Sequence, residues 1–115
     1  EKVLLVCLDN KCKVLHSSFV SEGSMNATEI NVRRILEQAI RTHATAVVIA
    51  HNHPSGFALP SVEDQQSTKV LTNALDVAGI QLVDHLIIAE DDYVSLRSTP
   101  ALVHLFKPDS QSITK

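Results

Sequence analysis

The sequence predicts an α/β fold, a layered sheet with helices packed on it. Two continuous apolar runs, Val3 to Leu8 and Ala46 to Ala50, have the composition of buried strands. Two other segments repeat their apolar residues at helical spacing, roughly Asn31 to His43 and Ser61 to Ala78. Strands that alternate with helices along a chain are typical of α/β domains.

The remaining elements follow from turn residues and from changes in periodicity. The first strand is an uninterrupted apolar run, so we expect it to be central and buried on both faces. Gly79 is expected to close the second helix, because glycine adopts the backbone conformation that ends a helix. The other predicted elements are a turn at Asp9-Asn10-Lys11, a strand from Lys13 to Ser21, a strand from Ile80 to Ala89, a turn at Asp91-Asp92, a return strand from Tyr93 to Arg97 and a short helix from Pro100 to Phe106.

The composition is that of an ordinary globular protein with one domain. The chain has 115 residues, of which 44% are hydrophobic and 20% charged, and its formal net charge of −3 argues against a surface that wraps nucleic acid. No apolar segment reaches the length of a membrane span, and no signal-peptide pattern is visible. We therefore expect a cytoplasmic location and no membrane partner, with Cys7 and Cys12 as free thiols. Because the chain opens on a strand without an initial methionine, we expect a fragment of a longer protein, with residues 1–107 as the domain and 108–115 as a flexible tail.

The most informative segment is His51-Asn52-His53-Pro54-Ser55-Gly56, which follows the apolar strand directly. Two histidines at positions i and i+2 point to the same face of an extended strand. Asp64 comes eleven residues after the second histidine and can return to that face on the first turn of a helix. Two imidazoles and one carboxylate are the open ligand set of a catalytic zinc, with water in the fourth position.

Each part of this pattern also has a purely structural explanation. Histidines in a strand can be half-buried polar residues, and Ser61-x-x-Asp64 is typical of a helix N-cap with an acidic residue in the first turn. The helical stripe favours the metal site, because its lower half is apolar and must face the sheet, which places Ser61 and Asp64 at the top of the buried stripe. An inward-facing carboxylate needs a partner that compensates its lost hydration. The stripe comprises Asp64, Thr68, Leu71, Leu75 and Ala78.

The motif residues together resemble a known family, the RadC-like branch of bacterial JAMM/MPN metalloprotease-like domains. The similarity extends from Glu1 to about Phe106. It implies a cytidine-deaminase-like α/β fold with a mixed sheet flanked by helices, and one Zn2+ per chain. The residues that carry it are His51-Asn52-His53-Pro54-Ser55-Gly56, Pro60-Ser61, Asp64, Thr68 and Asp84-His85.

The resemblance also implies roles for individual residues. His51, His53 and Asp64 would be the metal ligands, and Ser61 would help to stabilise the developing oxyanion. The general base would be Glu1, at the start of the first core strand. The rival carboxylates for the base are Glu22, Glu29 and Glu37. Glu22 precedes a glycine turn, and Glu37 lies on the polar face of its helix, so both fit less well.

Several further polar residues have less specific signals. Thr68 is expected to be a hydroxyl or small packing residue just beneath the ligands, and Asp84 and His85 are candidates for a role behind the ligands or in the cleft. Asn52 should face away from the ligands and anchor the loop. Three other histidines lack an acidic or histidine neighbour at ligand spacing and are expected at the surface or its boundary: His16, His43 and His104.

Three classes of function remain open at this stage. The first is a zinc-dependent hydrolase that cleaves a peptide or isopeptide bond in a peptide or protein substrate. The second is a factor associated with DNA repair or recombination, which would join a DNA-associated complex through an upstream domain absent from this chain. The third is a non-catalytic scaffold. The ligand set also suits iron or manganese, and an unpaired edge strand would make a homodimer easy to form.

Overall fold

The computed structural model describes residues 2–22, 30–54 and 56–109. Its elements occur in the predicted order of strand, strand, helix, strand, helix, strand, strand and short helix. They are β1 (Lys2–Leu8), β2 (Val14–Glu22), α1 (Val32–Arg41), β3 (Ala46–Asn52), α2 (Val62–Val77), β4 (Gln81–Ile88), β5 (Tyr93–Ser95) and a 3-10 helix (Val103–Phe106).

The strands form one mixed sheet with the order β2-β1-β3-β4-β5. β1 is antiparallel to both of its neighbours, β3 and β4 are parallel, and β5 is antiparallel to β4. The parallel pair is connected through α2, as a parallel pairing requires a crossover. The α/β fold class is confirmed, and the carboxyl end of β3 lies at the edge of the sheet where α2 begins.

The hydrophobic core lies between one face of the sheet and the two helices. Leu5 of β1 and Ile49 of β3 are fully buried against helix residues such as Ile35 and Leu71. α1 also contacts the sheet through Gln38, whose Oε1 atom lies 2.7 Å from Nε2 of His16. Both helices pack on this face and touch each other.

The expectation that β1 is buried on both faces is therefore wrong. Val3, Leu5 and Cys7 point into the core, whereas Leu4 and Val6 are only partly buried. No helix of the described residues covers the second face of the sheet, because α1 and α2 share the first one. An apolar run shows that a strand is internal to the sheet, but it does not show how many layers cover that strand.

The ends of α2 are determined by local sequence. Ser61 is the N-cap residue, and its Oγ accepts a hydrogen bond of 3.0 Å from the Asp64 amide. At the other end, Gly79 has a φ of +75°, and the Ile80 amide donates to the Leu75 carbonyl. This is the Schellman arrangement, which confirms the glycine prediction.

The last two predicted elements are shorter than expected. β5 ends at Ser95 instead of Arg97, because the carboxylate of Asp84 accepts hydrogen bonds from the Ser95 hydroxyl and from the Arg97 amide and so turns the chain. The short helix begins at Val103 and has 3-10 geometry.

The chain after this helix is tied to α2. Asp109 forms an ion pair of 2.8 Å with Lys69, and its amide donates to the Asn73 side chain. The rest of the predicted flexible tail, residues 110–115, lies outside the described residues.

Two further expectations concern the cysteines and the membrane. Cys7 is buried and Cys12 is exposed, and both are free thiols, as predicted. Burial raises the pKa of the Cys7 thiol, which keeps it protonated and unreactive. Within the described ranges, no helix combines the length and apolar character needed to cross a membrane.

Candidate metal centre

The three predicted ligands meet where β3 ends and α2 begins. His51 lies in β3 and is paired with Val3 of β1 on one side and with Ile87 of β4 on the other. His53 follows the strand, and its amide donates a hydrogen bond of 2.8 Å to the Ile88 carbonyl. Both histidine backbones are therefore held by neighbouring strands.

Asp64 completes the group from the first turn of α2. Its Oδ1 atom lies 3.2 Å from Nε2 of His51, and its Oδ2 atom lies 3.1 Å from Nε2 of His53. One ligand atom from each residue lies within 4.8 Å of the others. Asp64 and His51 are 4% and 1% exposed, whereas His53 is only partly buried, so the group opens to solvent on the His53 side.

The helix cap also orients the carboxylate. The Ser61 amide donates to Oδ2 of Asp64 at 2.8 Å, and the Asp64 amide donates back to the Ser61 hydroxyl. Burial by itself would raise the pKa of Asp64, but the Ser61 amide, which donates to its carboxylate, helps to hold that pKa below its usual range. The Asp64 carboxylate is therefore ionised at neutral pH and held in one orientation by the cap.

The ring of His53 is oriented by a backbone carbonyl. Nδ1 of His53 lies 3.2 Å from the carbonyl oxygen of Phe57. A carbonyl can only accept, so Nδ1 is the donor in this contact, and Nε2 is the ring atom that faces Oδ2 of Asp64. The loop that supplies this carbonyl is anchored by Ala58, which is buried in the core.

The ring of His51 is backed by a second buried histidine. Nδ1 of His51 lies 2.8 Å from Nε2 of His85, and Nδ1 of His85 lies 2.6 Å from the hydroxyl of Thr68. The same hydroxyl donates to the Asp64 carbonyl at 2.7 Å. Burial and the neighbouring His51 ring lower the pKa of His85 to about 3, so His85 is neutral at physiological pH.

The unsatisfied atom of this arrangement is Nε2 of His51. It is buried, and among the described residues it has no hydrogen-bond partner of suitable geometry, even though Oδ1 of Asp64 is only 3.2 Å away. A buried polar atom without a partner costs free energy, and a nitrogen lone pair that faces a carboxylate adds repulsion. A cation between these atoms removes both problems, so the donor set fits a divalent metal ion.

Thr68 and His85 thus lie directly behind the ligands, but Asp84 does not. Its carboxylate contacts Ser95 and the Arg97 amide instead of any ligand, which corrects the expectation that it lies at the site. The cause is an irregularity in β4, where Val47 pairs with Leu82 but Val48 pairs with Asp84. The extra residue reverses the alternation, so that His85 faces the core and Asp84 faces away.

The other predicted residues fall into four groups. Ser61 is exposed at the rim of the site instead of buried in the stripe. Asn52 faces away from the ligands, as predicted, and its side chain accepts a hydrogen bond of 2.7 Å from the Lys2 amide, which joins β1 to β3. Glu1, Glu29 and Ser55 lie outside the described residues. The exposed or boundary positions are Glu37, His16, His43 and His104, as expected.

Two features of the site were missed by sequence reasoning. The Phe57 carbonyl is a backbone group and leaves no residue signal. Thr68 and His85 were predicted to lie near the site, but their contacts with each other and with His51 depend on which strand lies beside β3. Only the pairing of β3 with β4 brings His85 against His51.

Comparison with known proteins agrees with this architecture. The family model for the RadC-like JAB domain matches residues 1–101. The chain belongs to this family. The resemblance carried by the motif residues is therefore confirmed for the RadC-like JAB domain as a whole.

Several curated relatives of this RadC-like JAB domain carry the name UPF0758 protein, which states no activity. The relatives from Methanosarcina barkeri, Symbiobacterium thermophilum and Chloroflexus aggregans are 39%, 40% and 41% identical over 97 residues. In each case the match covers 84% of this chain and 42% of the relative. The domain therefore spans about two fifths of the length of these relatives.

Proposed function

We propose that this domain is a metal-dependent hydrolase that cleaves a peptide or isopeptide amide, with zinc as the metal. The observation that carries the proposal is the convergence of two imidazole nitrogens and one carboxylate within 4.8 Å, with a buried ligand atom that has no other suitable partner in the described structure. A bound zinc ion would lower the pKa of a coordinated water toward neutrality and polarise the substrate carbonyl.

His51, His53 and Asp64 would hold the ion. Three protein ligands leave a coordination position open, which is typical of catalytic zinc and unlike the closed sites of structural zinc. The exposed side of the group lies at His53, and a cavity of about 310 Å³ adjoins it, bounded in part by Ile88 and Glu90. Of the three predicted ligands, His53 lines this cavity.

Ser61 is proposed to stabilise the oxyanion of the tetrahedral intermediate. Its hydroxyl oxygen accepts from the Asp64 amide, so the hydroxyl proton points elsewhere. Within the described part of the chain that proton has no acceptor, and Ser61 is exposed at the rim of the site. A hydroxyl with this geometry can donate to an oxygen atom that acquires negative charge.

Glu1 is proposed as the general base that accepts the proton of the attacking water and passes it to the leaving amine. Support comes from the described neighbours of Glu1. Val3 is paired with His51, and the Lys2 amide binds Asn52, so the first described residues of β1 lie at the carboxyl end of β3. Glu1 immediately precedes these residues in the sequence.

The primary test is the metal content of the purified protein by elemental analysis. We expect about one zinc per wild-type chain, and loss of zinc in Asp64→Ala and in His53→Ala. His104→Ala removes an exposed histidine outside the site and should retain the metal. A wild-type protein that stays empty after zinc is supplied would refute the proposal.

Activity is tested separately on the zinc-loaded protein with a library of fluorogenic peptides and with isopeptide-linked substrates. Turnover that disappears in Asp64→Ala supports the hydrolase. A zinc-loaded protein that cleaves no member of either set would contradict peptidase activity. Salt-dependent DNA binding by the same preparation would then favour a DNA-associated role.

A further inference from the structure

Thr68 and His85 are fully buried polar residues that touch no solvent and are not ligands themselves. They form a continuous chain of short contacts from the backbone of α2 to the ring of His51. Polar groups in a core are costly unless their hydrogen bonds are complete. Each of these contacts allows only certain proton positions, and each proton position restricts the next one.

The first contact in this series involves the Asp64 carbonyl oxygen, which can only accept a hydrogen bond. The Thr68 hydroxyl has a single proton, and it donates that proton to the Asp64 carbonyl at 2.7 Å. The hydroxyl oxygen must then act as acceptor toward Nδ1 of His85, which lies 2.6 Å away. Nδ1 of His85 therefore carries a proton.

The next contact transfers this restriction to the ligand. A neutral His85 with its proton on Nδ1 has only a lone pair on Nε2, and that atom lies 2.8 Å from Nδ1 of His51. Nδ1 of His51 must supply the proton of this hydrogen bond. The neutral ring of His51 then keeps a lone pair on Nε2, the atom that faces Asp64.

A doubly protonated His85 would reverse the last step, but its surroundings oppose that form. The ring is fully buried, and neither of its two hydrogen-bond partners is a carboxylate. Burial of an unpaired cation costs far more than burial of a neutral ring. The neutral form and the proton order derived from it are therefore favoured.

The difference between the two histidine ligands explains why side chains are needed here. His53 lies near the surface, where the Phe57 carbonyl fixes its ring directly. His51 is buried in β3, where neighbouring carbonyls are engaged in the sheet on both sides. An acceptor for its Nδ1 proton must therefore come from a side chain, and His85 from the adjacent strand supplies it.

We propose that Thr68 is a positioning residue that acts through His85 to fix the ring tautomer of His51, which leaves the Nε2 lone pair free for a divalent cation. The inference deepens the proposed metal site and rests on it for its biological purpose. The proton order itself is a property of the metal-free protein, so it can be measured independently.

The experiment is NMR of the imidazole nitrogens in metal-free protein labelled with ¹⁵N-histidine, at about pH 8.5, where an ordinary histidine is neutral. We expect both His51 and His85 of the wild type to carry their proton on Nδ1. A wild-type His51 protonated on Nε2 would overturn the proposal. This measurement is decisive even if a variant fails to fold, and it does not depend on whether the domain has hydrolase activity.

Variants at Thr68 test the origin of the tautomer. Thr68→Val preserves shape but removes the acceptor for His85, so the His51 proton should shift toward Nε2 and zinc affinity should fall about 10- to 100-fold. Thr68→Ser keeps the hydroxyl and should restore both properties. Unchanged tautomer and affinity in a folded Thr68→Val protein would show that Thr68 only packs.

Thr72→Val is the matched control. Thr72 is buried one turn further along α2, and its hydroxyl proton is shared between the carbonyls of Thr68 and Leu105, without contact to a histidine. Its loss should lower stability and leave both the tautomer and the zinc affinity unchanged. An equal loss of zinc affinity in Thr72→Val would assign the effect to general destabilisation and overturn the proposal.

Discussion

Replacement of Ser61 by alanine should affect stability and turnover through two different atoms of the same hydroxyl. The oxygen accepts from the Asp64 amide and caps α2, whereas the proton is free to reach a substrate oxyanion. Loss of a serine N-cap costs about 1 kcal/mol, which for a domain of this size lowers the Tm by roughly 4 °C.

The expected loss of turnover is larger. Removal of one oxyanion donor lowers kcat by about 10²- to 10³-fold. We take the lower end, about 100-fold, because Ser61 would not be the only positive partner of the oxyanion. Zinc affinity should change by less than about tenfold, since the Ser61 amide still binds Oδ2 of Asp64 and the alanine keeps that amide.

The assay compares thermal unfolding, zinc affinity and kcat for Ser61→Ala and for Asn31→Ala. Asn31 caps α1 in the same way, with its side chain 3.0 Å from the Arg34 amide, and it takes no part in the site. Both variants should lose similar stability, and only Ser61→Ala should lose turnover. Full turnover in Ser61→Ala, or an equal loss in Asn31→Ala, would refute the oxyanion role.

Three further predictions concern pH, a helix end and the base. The pKa of His85 is lowered from 6.5 to about 3, so between these pH values the unfolded chain binds a proton that the folded domain excludes. The free energy of unfolding should therefore fall as the pH drops from about 6.5 toward 3. The lowered pKa of Asp64 should add a further loss below about pH 4. Urea unfolding of the metal-free protein across this range checks the sign, and flat stability between pH 6.5 and 5 would contradict it. Gly79→Ala should cost about 1 kcal/mol in urea unfolding, because residue 79 has a φ of +75°, whereas Gly79→Asn should cost less. Glu1→Gln should retain zinc and lose at least about 100-fold in kcat, and an unchanged kcat would exclude Glu1 as the base.

Much of the fold could be predicted from sequence because its signals are local. The apolar runs, the stripe of α2, the cap at Ser61 and the glycine at position 79 all act within a few residues. The spacing of His51 and His53 also determines that their side chains share a face, whichever strands lie beside them. Local rules therefore predicted the element order and the placement of the two histidines and the carboxylate at one end of a strand.

Other features depended on contacts between distant segments. The sequence could not show that α1 and α2 occupy the same face of the sheet, which leaves Leu4 and Val6 only partly buried. Strict alternation from the buried Leu82 would also have turned Asp84 toward the core. The irregular register between β3 and β4 reverses that alternation and turns His85 inward instead.

The sequence by itself thus determined the ligand types, their spacing and the helix that presents Asp64. The tertiary structure decided which atoms of these three side chains face one another at the candidate site. Ring tautomers depend on hydrogen-bond partners, and the partners of His51 and His53 are a histidine from the adjacent strand and a backbone carbonyl from a loop. Proton positions follow from geometry between segments far apart in the chain, so they could be derived only after β4 was placed beside β3.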